Sequence, residues 1–440
     1  MERYSEASSA THRGVPSVLP ANGRFTVEPR LEGFPLFELV QDRRTQSPKQ
    51  LDLHRRSFCR AHVVPDGTRL VFSDDGDLYT SGAAPVPLGE MTLYAAAVDV
   101  GSGPPAPLQA GKLPVALLGE LLARLPTPPP SVLLGPRIGE DACAIEVPGG
   151  VLVAATDPIT FTTQEIGRFS VIVNANDVAV MGVRPRWFLA VILLPSGTTE
   201  ATVREVFASM QDSLAHVGAA LVGGHTEVTQ AVTQPLVVGQ FLGLAEDGRF
   251  VATGGVRPGD VLLQVGPVPI EGAAVLSHEA SDRLIGLDPA VVEAALGALD
   301  HPGISVVEPA LLAAELGATA MHDPTEGGLV AGLHEIAAAS RLRIRVDLGS
   351  VLWFEPGRAL CAALGADPLA TLASGCLLAA FPADRAKAVL QSLAQHGHAA
   401  AQIGTAEPGS GVCDADGRPL AWPGRDEVAR LLSDKTEGPG

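Results

Sequence analysis

Aromatic side chains are scarce in this chain, with 13 Phe, 3 Trp and 3 Tyr among 440 residues. The core must then be built from Val, Leu, Ala and Ile, which suits layered helices and sheets better than a β-sandwich. Cysteine is scarce too: Cys59, Cys143, Cys361, Cys376 and Cys413 are scattered and form no CxxC pair. That scatter excludes a disulfide framework or a paired-thiol zinc site, and it fits reduced, cytoplasmic thiols. Positive charge is short, 31 Lys and Arg against 49 Asp and Glu, for a net charge of −18. Nucleic acid and anionic membrane are thereby disfavoured as partners. No uninterrupted apolar run reaches roughly 18 residues, so no membrane span is expected. The opening MERYSEASSATHRG lacks the apolar segment of a signal peptide. GxxxxGK[ST], a GxGxxG between strand and helix, and HExxH are all missing (His334 heads HEIAAAS), which sets aside P-loop, Rossmann and zincin sites.

What is present is glycine, proline and order. The chain has 48 Gly, 36 Pro and 46% hydrophobic residues, and its length predicts two or three domains. Residues 1–30 are polar and flexible in character, while 34–100 alternate short apolar runs with Asp-Gly turns, as β-hairpins do. GSGPPAPLQAG (101–111) reads as a linker and LPVALLGELLARL (113–125) as an amphipathic helix. Next come DACAIEV-PGG-VLVAATD as two strands around a glycine turn, a helix over 165–181, a strand in RPRWFLAVILLP, a helix over 201–218, and a strand over 235–245. Composition shifts at 252–260, and a second α/β unit follows. The expected division is an N-terminal, partly β extension (1–105), a first domain (106–250), a second domain (251–425) and a flexible tail (426–440).

Carboxylates stand where apolar patterning should exclude them. With the hairpin turn centred on Gly149, Asp141 faces Asp157, and like charges directly opposed are destabilising without a cation or a proton between them. Splayed, solvated strand ends are the alternative. In VIVNANDVAV, Asn174 and Asp177 share a helix face amid Val and Ile. A bare buried carboxylate costs several kcal/mol, so Asp177 needs a partner unless it lies on a wetted stripe. Three acids converging on one metal explain the set better than three separate accidents.

Glycine-rich segments supply the complement. LLGPRIGED offers Gly135, Arg137, Gly139 and Glu140 just before Asp141; VGGHTEVT offers Gly223, Gly224, His225, Thr226 and Glu227; HDPTEGGL offers Asp323, Thr325 as an N-cap, and Gly327 and Gly328 in a first helical turn. Such segments can cradle phosphates, with Mg²⁺ shared between carboxylates and phosphate oxygens. His225 and His322 flank these loops; either could touch phosphate, though a lone loop histidine is more often surface. Cys143, two residues past Asp141, reads as a structural thiol.

GEDACAIE, TDPIT, IGRFSVIVNANDVAVMGVRPRWFLAVILLP, VGGHTEVT, RPGDVLLQVGP and HDPTEGGLVAGLHEIAAAS, in that order, resemble the AIR synthase (PurM-like) superfamily over about residues 110–410. The GHTEVT form points within it to HypE-like and AIR synthase-related proteins. The resemblance implies an α+β, PurM-like two-domain fold and a homodimer with ATP sites near its interface. It also implies Mg²⁺–ATP held by Asp141, Asp157 and Asp177, with the glycine segment around Gly139 over the phosphates. Chemistry in the superfamily is phosphorylation of an amide- or carbonyl-type oxygen, which then leaves as phosphate.

Three departures qualify this. HypE carries its carbamoyl group on a cysteine at its extreme C-terminus, whereas this chain ends LLSDKTEGPG and its last cysteine is Cys413. No cysteine stands close before GPRIGED, as selenophosphate synthetase would require. His225 replaces an acid usual after the paired glycines, a role Glu227 could take as metal ligand. The expectation is a cytoplasmic ATP- and Mg²⁺-dependent enzyme acting on a small molecule. Asp177, Asn174 and Asp323 are the expected catalytic residues, Asp141, Asp157, Asp177 and Glu227 the metal ligands, and the glycine segments with Thr325 the nucleotide and substrate walls. A nucleotide-binding maturation scaffold, docking a protein partner through residues 1–105, and a small-molecule kinase like thiamine-monophosphate kinase are the alternatives.

Overall fold

The computed structural model describes residues 108, 111–159 and 165–433, and before them five strands. Expectations for residues 1–30, most of the 101–111 linker, the 160–164 loop and the chain beyond 433 lie outside the described residues. The N-terminal strands form two groups. β1 (Leu39–Asp42) pairs antiparallel with β2 (Ser47–Gln50), and β3 (His62–Val63), β4 (Arg69–Phe72) and β5 (Leu78–Ser81) form an antiparallel meander.

The remainder forms two sheet-based modules. After α1 (Val115–Ala123), the first sheet takes β6 (Val132–Leu134), β7 (Cys143–Val147), β8 (Gly150–Ile159), β9 (Trp187–Pro195), β10 (Ala220–Thr229) and β11 (Leu236–Ala245), in the spatial order β10-β9-β11-β8-β7-β6. Only β9 and β10 run parallel in this sheet. Burial alternates along β9 and β11, as a sheet covered by helices requires. The cover is α2 (Ile166–Ala179), and α3 (Glu200–Val217) packs outside it. Nearly every side of α2 is buried, its Asn174, Asn176 and Asp177 included. Thr199 caps α3, its hydroxyl accepting from Thr202 N–H at 3.2 Å.

The β7–β8 hairpin exists, but one residue out of the expected register. Cys143 faces Ala154 and Val147 faces Gly150, which centres the turn between Pro148 and Gly149. A one-residue slip exchanges the faces of a strand, so Asp141 and Asp157 are not opposed partners. Asp141 precedes β7, and Asp157 pairs across β8 with Gly239 of β11.

The second sheet runs β13-β15-β12-β16-β14-β17, built from β12 (Asp260–Val265), β13 (Ala320–His322), β14 (Arg343–Val346), β15 (Leu377–Pro382), β16 (Ala400–Glu407) and β17 (Gly411–Asp414). Its helices are α4 (Glu271–Glu279), α5 (Pro289–Leu296), α6 (Val307–Glu315), α7 (Gly328–Ser340), α8 (Glu355–Leu364), α9 (Ala386–Gln395) and α10 (Glu427–Ser433). The central β12 is buried at every position, a strand covered on both faces. Residues 427–433, expected as a flexible tail, are helical, and Val428 and Leu431 are buried. No single helix among the described residues is long and apolar enough to cross a membrane.

One buried cluster joins the modules, running from Ala144, Phe188 and Phe241 through Val178 and Met181 to Val261, Met321 and Phe381. Asn176 pins the joint. Its Nδ2 donates to Ile304 O at 2.9 Å and its Oδ1 accepts from Val306 N–H at 2.9 Å.

Candidate active site

Where the modules meet, four aspartates act on one another electrically. Asp141 comes from the turn before β7, Asp157 from β8, Asp177 from the end of α2 and Asp323 from just past β13. Asp177 and Asp323 are buried, 6% and 2% exposed. Burial first, and then the charges of Asp323, Asp157 and Asp141, hold the Asp177 carboxyl well above the usual carboxylate range. Burial raises Asp323 in the same way, with Asp141 and Asp157 adding and His322 opposing. Loss of water around its carboxyl also raises Asp157, against the field of Lys112. Both Asp323 oxygens are buried without a hydrogen-bond partner in the protein, an arrangement that natural folds rarely tolerate.

The counter-charges come from residues that sequence reasoning discounted or missed. His322, buried at the end of β13, is no surface histidine. Its Nδ1 meets Asp141 at 2.8 Å and its Nε2 meets Glu335 of α7 at 2.9 Å. Burial opposes its charge, but the two carboxylates prevail and raise its pKa well above the ordinary value. Glu335 is pressed upward by burial, yet the His322 hydrogen bond and Lys112 hold it down at about 2. Lys112, ahead of α1, stands 3.6 Å from Glu335 and 3.3 Å from Thr325 Oγ. The signal for Glu335 was available: an acid inside GLVAGLHEIAAAS poses the same question as Asp177 does on α2.

Asn174 is fully buried. Its Oδ1 accepts from Asp157 N–H at 2.7 Å, and its Nδ2 donates to Asp157 O at 3.2 Å and to Ser170 O at 2.9 Å. Both of its N–H donors are spent on backbone, so it holds the Asp157 backbone in place. Gly239 makes the room, since a Cβ there would stand 2.3 Å from Asn174 Nδ2.

The glycine segments also differ from expectation. Gly135 and Arg137 lie between β6 and β7, Arg137 exposed. The Glu140 carboxylate accepts from Thr253 N–H at 3.0 Å and Gly254 N–H at 3.2 Å, which makes it a brace between modules. Gly139 adopts φ +84° where the backbone passes Glu335. Gly223, Gly224, His225, Thr226 and Glu227 form no loop: they continue β10, an edge strand exposed from Ala220 through Val228. At Gly224 a Cβ would stand 2.0 Å from Ala190 O, so the close backbone approach is to β9. His225 and Glu227 meet each other at 3.2 Å, both exposed on that edge strand. Thr325 is not the N-cap of α7. Gly327 holds that position, with φ +85° and no side-chain cap bond. The helix start is already satisfied from within, because Gly327 N–H donates to Asp426 at 2.7 Å, Gly328 N–H to Thr325 O, and Val330 N–H to Leu369 O.

Does the donor set suit Mg²⁺? Among the described residues no three His, Cys, Asp or Glu side chains are grouped closely enough to cage an ion. Mg²⁺ needs no such cage, because it keeps several waters and takes one or two carboxylates with phosphate oxygens. Hard oxygen donors, and a buried carboxylate with no protein partner, fit that ion.

Comparison with known proteins places these residues in context. The family model described as AIR synthase related protein, N-terminal domain, matches residues 139–245, and its C-terminal counterpart matches 257–413. Carbamoyl dehydratase HypE from Azotobacter vinelandii is 31% identical over 274 residues, covering 60% of this chain and 78% of that protein. A solved hydrogenase maturation protein HypE in complex with ATP is 27% identical with a TM-score of 0.54, covering 67% of this chain and 92% of that one. A HypE–HypF complex structure shares the fold at 22% identity and a TM-score of 0.56, covering 65% of this chain and 94% of that one.

Proposed function

Because the chain belongs to the family of AIR synthase related proteins, we propose that it is an ATP- and Mg²⁺-dependent enzyme that activates an amide- or carbonyl-type oxygen of a small substrate. The observation that carries this reading is the set of mutually repelling aspartates, drawn from both modules, with Asp323 unpaired and buried among them. Asp141, Asp157 and Asp177 would hold the metal, and residues 135–139 would lie over the phosphates. Bound ATP supplies a phosphoryl group that turns a poor oxygen leaving group into phosphate.

The protein's own part is positioning and charge balance, which carry most of phosphoryl transfer. His322 and Glu335 fix Asp141. Asn174 fixes the Asp157 backbone. Burial of Asp177 and Asp323 strengthens every charge interaction there by excluding water.

Of the four described thiols only Cys143, in β7, is not buried. Cys361, Cys376 and Cys413 are buried, and burial pushes Cys361 up to about 11. The neighbour solved as a HypE–HypF complex supports a protein partner. We also propose a homodimer through β10, whose exposed Leu221, Val222 and Val228 adjoin exposed Val191 of β9. A bare strand edge with apolar residues is a liability that a second copy would cover. Scattered free thiols fit a cytoplasmic enzyme.

Calorimetry of ATP binding, with and without Mg²⁺, on wild type and Asp177→Ala tests the reading. Mg²⁺-dependent binding that Asp177→Ala loses is the expected outcome, and equal affinity in all four titrations would sink it. Phosphorus NMR of the products then separates released phosphate from phosphate kept on the product.

A further inference from the structure

We propose that Lys112 recognises the terminal phosphoryl of a bound nucleoside triphosphate, an inference that rests on the nucleotide reading above. Lys112 belongs to GKLP at 111–114 and lies outside both family-matched segments, which begin at 139 and 257.

Three observations point the same way. The first is availability. His322 is clamped between carboxylates at 2.8 and 2.9 Å, whereas Lys112 meets Glu335 at 3.6 Å and the neutral Thr325 hydroxyl at 3.3 Å. A charge-assisted N–H···O bond is normally about 2.7–2.9 Å, so the ammonium is held loosely, and 52% of its side chain meets solvent. The second is place. Lys112 touches Thr325 and Glu335 of the second module while its field reaches Asp157 and Asp177 of the first. On the nucleotide reading, a phosphoryl group passing from metal-bound nucleotide to substrate would lie at that seam. The third is chemistry. An ammonium on a flexible stem presents three donors as a point charge and follows a moving phosphate oxygen, which a rigid fork does less readily. Although the stem is half exposed, the ammonium lies among protein groups that strip it of water. That desolvation opposes its charge, but the carboxylates, Glu335 foremost, prevail and raise Lys112 above the ordinary lysine value, so it stays charged for that task.

The test is calorimetry in Mg²⁺ with ADP and with a non-hydrolysable ATP analogue, on wild type, Lys112→Met and Lys112→Arg. Loss of one charge-assisted contact predicts a triphosphate affinity about 10- to 100-fold weaker in Lys112→Met. ADP affinity stays within about threefold, and Lys112→Arg retains most triphosphate binding because the charge is kept. Acylation of Lys112 by acetic anhydride, followed by mass spectrometry on the wild-type chain, gives a readout independent of variant folding. The triphosphate analogue should slow it several-fold and ADP should not. The proposal is overturned if Lys112→Met binds both nucleotides as wild type does, if it loses both equally, or if acylation ignores the analogue. A wild-type protein that binds neither nucleotide would instead bring down the nucleotide reading, and this inference with it.

Discussion

Replacing Asp323 by asparagine should make the metal-free protein more stable. The carboxyl is 2% exposed and neither oxygen has a partner in the protein. Burial and neighbouring acids raise its pKa well above the ordinary 3.8, so the sign is that of a destabilising ionisation. Below the ordinary value both folded and unfolded chains carry the proton and nothing is lost. Above it, the unfolded chain ionises freely while the folded one does not, and stability falls by about 1.4 kcal/mol per pH unit. At pH 7 the ceiling is about 4 kcal/mol, because the folded group takes up a proton before it costs more. Asparagine removes this charge term, but its amide also lacks partners there, which costs about 1–3 kcal/mol. The net expectation is a gain of about 1–3 kcal/mol at pH 7, together with a shallower decline of stability between pH 5 and 8. Urea unfolding in EDTA across that range measures both quantities. Mg²⁺–ATP at a hundred times its Kd should add about 2.7 kcal/mol to wild type and clearly less to the variant. A variant less stable than wild type, or one with the same pH slope, would refute the reasoning.

Four further substitutions probe the framework. His322→Gln leaves Asp141 and Glu335 without their shared cation, and breaking a buried pair this way costs about 3–5 kcal/mol. Because the His322 pKa is raised in the fold, that loss is full below pH 6.5 and shrinks as pH rises through the elevated value, which urea unfolding at several pH values will show. Gly239→Ala drives a Cβ to 2.3 Å from Asn174 Nδ2, and overpacking of that kind costs about 1–3 kcal/mol by thermal or urea unfolding. Glu271→Gln acts in the opposite direction: buried Glu271 is pushed up from 4.5 to about 7, a gap worth about 3 kcal/mol of lost stability once the pH exceeds 7. The variant should therefore gain up to about that amount at pH 8 and little at pH 4. Asn176→Ala strands Ile304 O and Val306 N–H, costing about 2–4 kcal/mol, and should weaken Mg²⁺–ATP binding in calorimetry although it touches no proposed ligand.

How far the sequence exposed this arrangement depended on the range of the interaction. Helix α2 was legible because its apolar run and Gly182 stop are local, and Asp177 stood out because burial and charge conflict within one turn. The β7–β8 hairpin was legible as a pair of strands, but its register was not. PGG allows a turn centred on Gly149 or just before it, and only pairing with β11 decides between them. His322 was misjudged because Asp141, which gives it meaning, is 181 residues away in sequence. Thr325 looked like a helix cap because Thr is among the residues preferred at that position. The fold instead starts α7 at Gly327 and fills that position with Asp426, from a segment 99 residues downstream. AALVGGHTEVTQ reads as a strand running into a glycine loop, whereas the glycines continue β10 at the edge of the sheet, where Val222 and Val228 are exposed.

Neither module holds the site alone, and this has an energetic consequence. Asp141, Asp157 and Asp177 come from the first module; Asp323, His322 and Glu335 come from the second. Docking the modules brings Asp323 against Asp177, so each raises the cost of ionising its neighbours, while His322 offsets Asp141 across the same joint. The joint survives this repulsion through a shared apolar cluster, the buried amide of Asn176 and the brace from Glu140 to Thr253 and Gly254. On the proposed reading, stability taken up by crowded carboxylates in the metal-free fold would be returned by a divalent cation bound between them. Metal–nucleotide affinity and the tightness of the joint would then be thermodynamically linked, so a substitution that loosens one should weaken the other by the same coupling free energy.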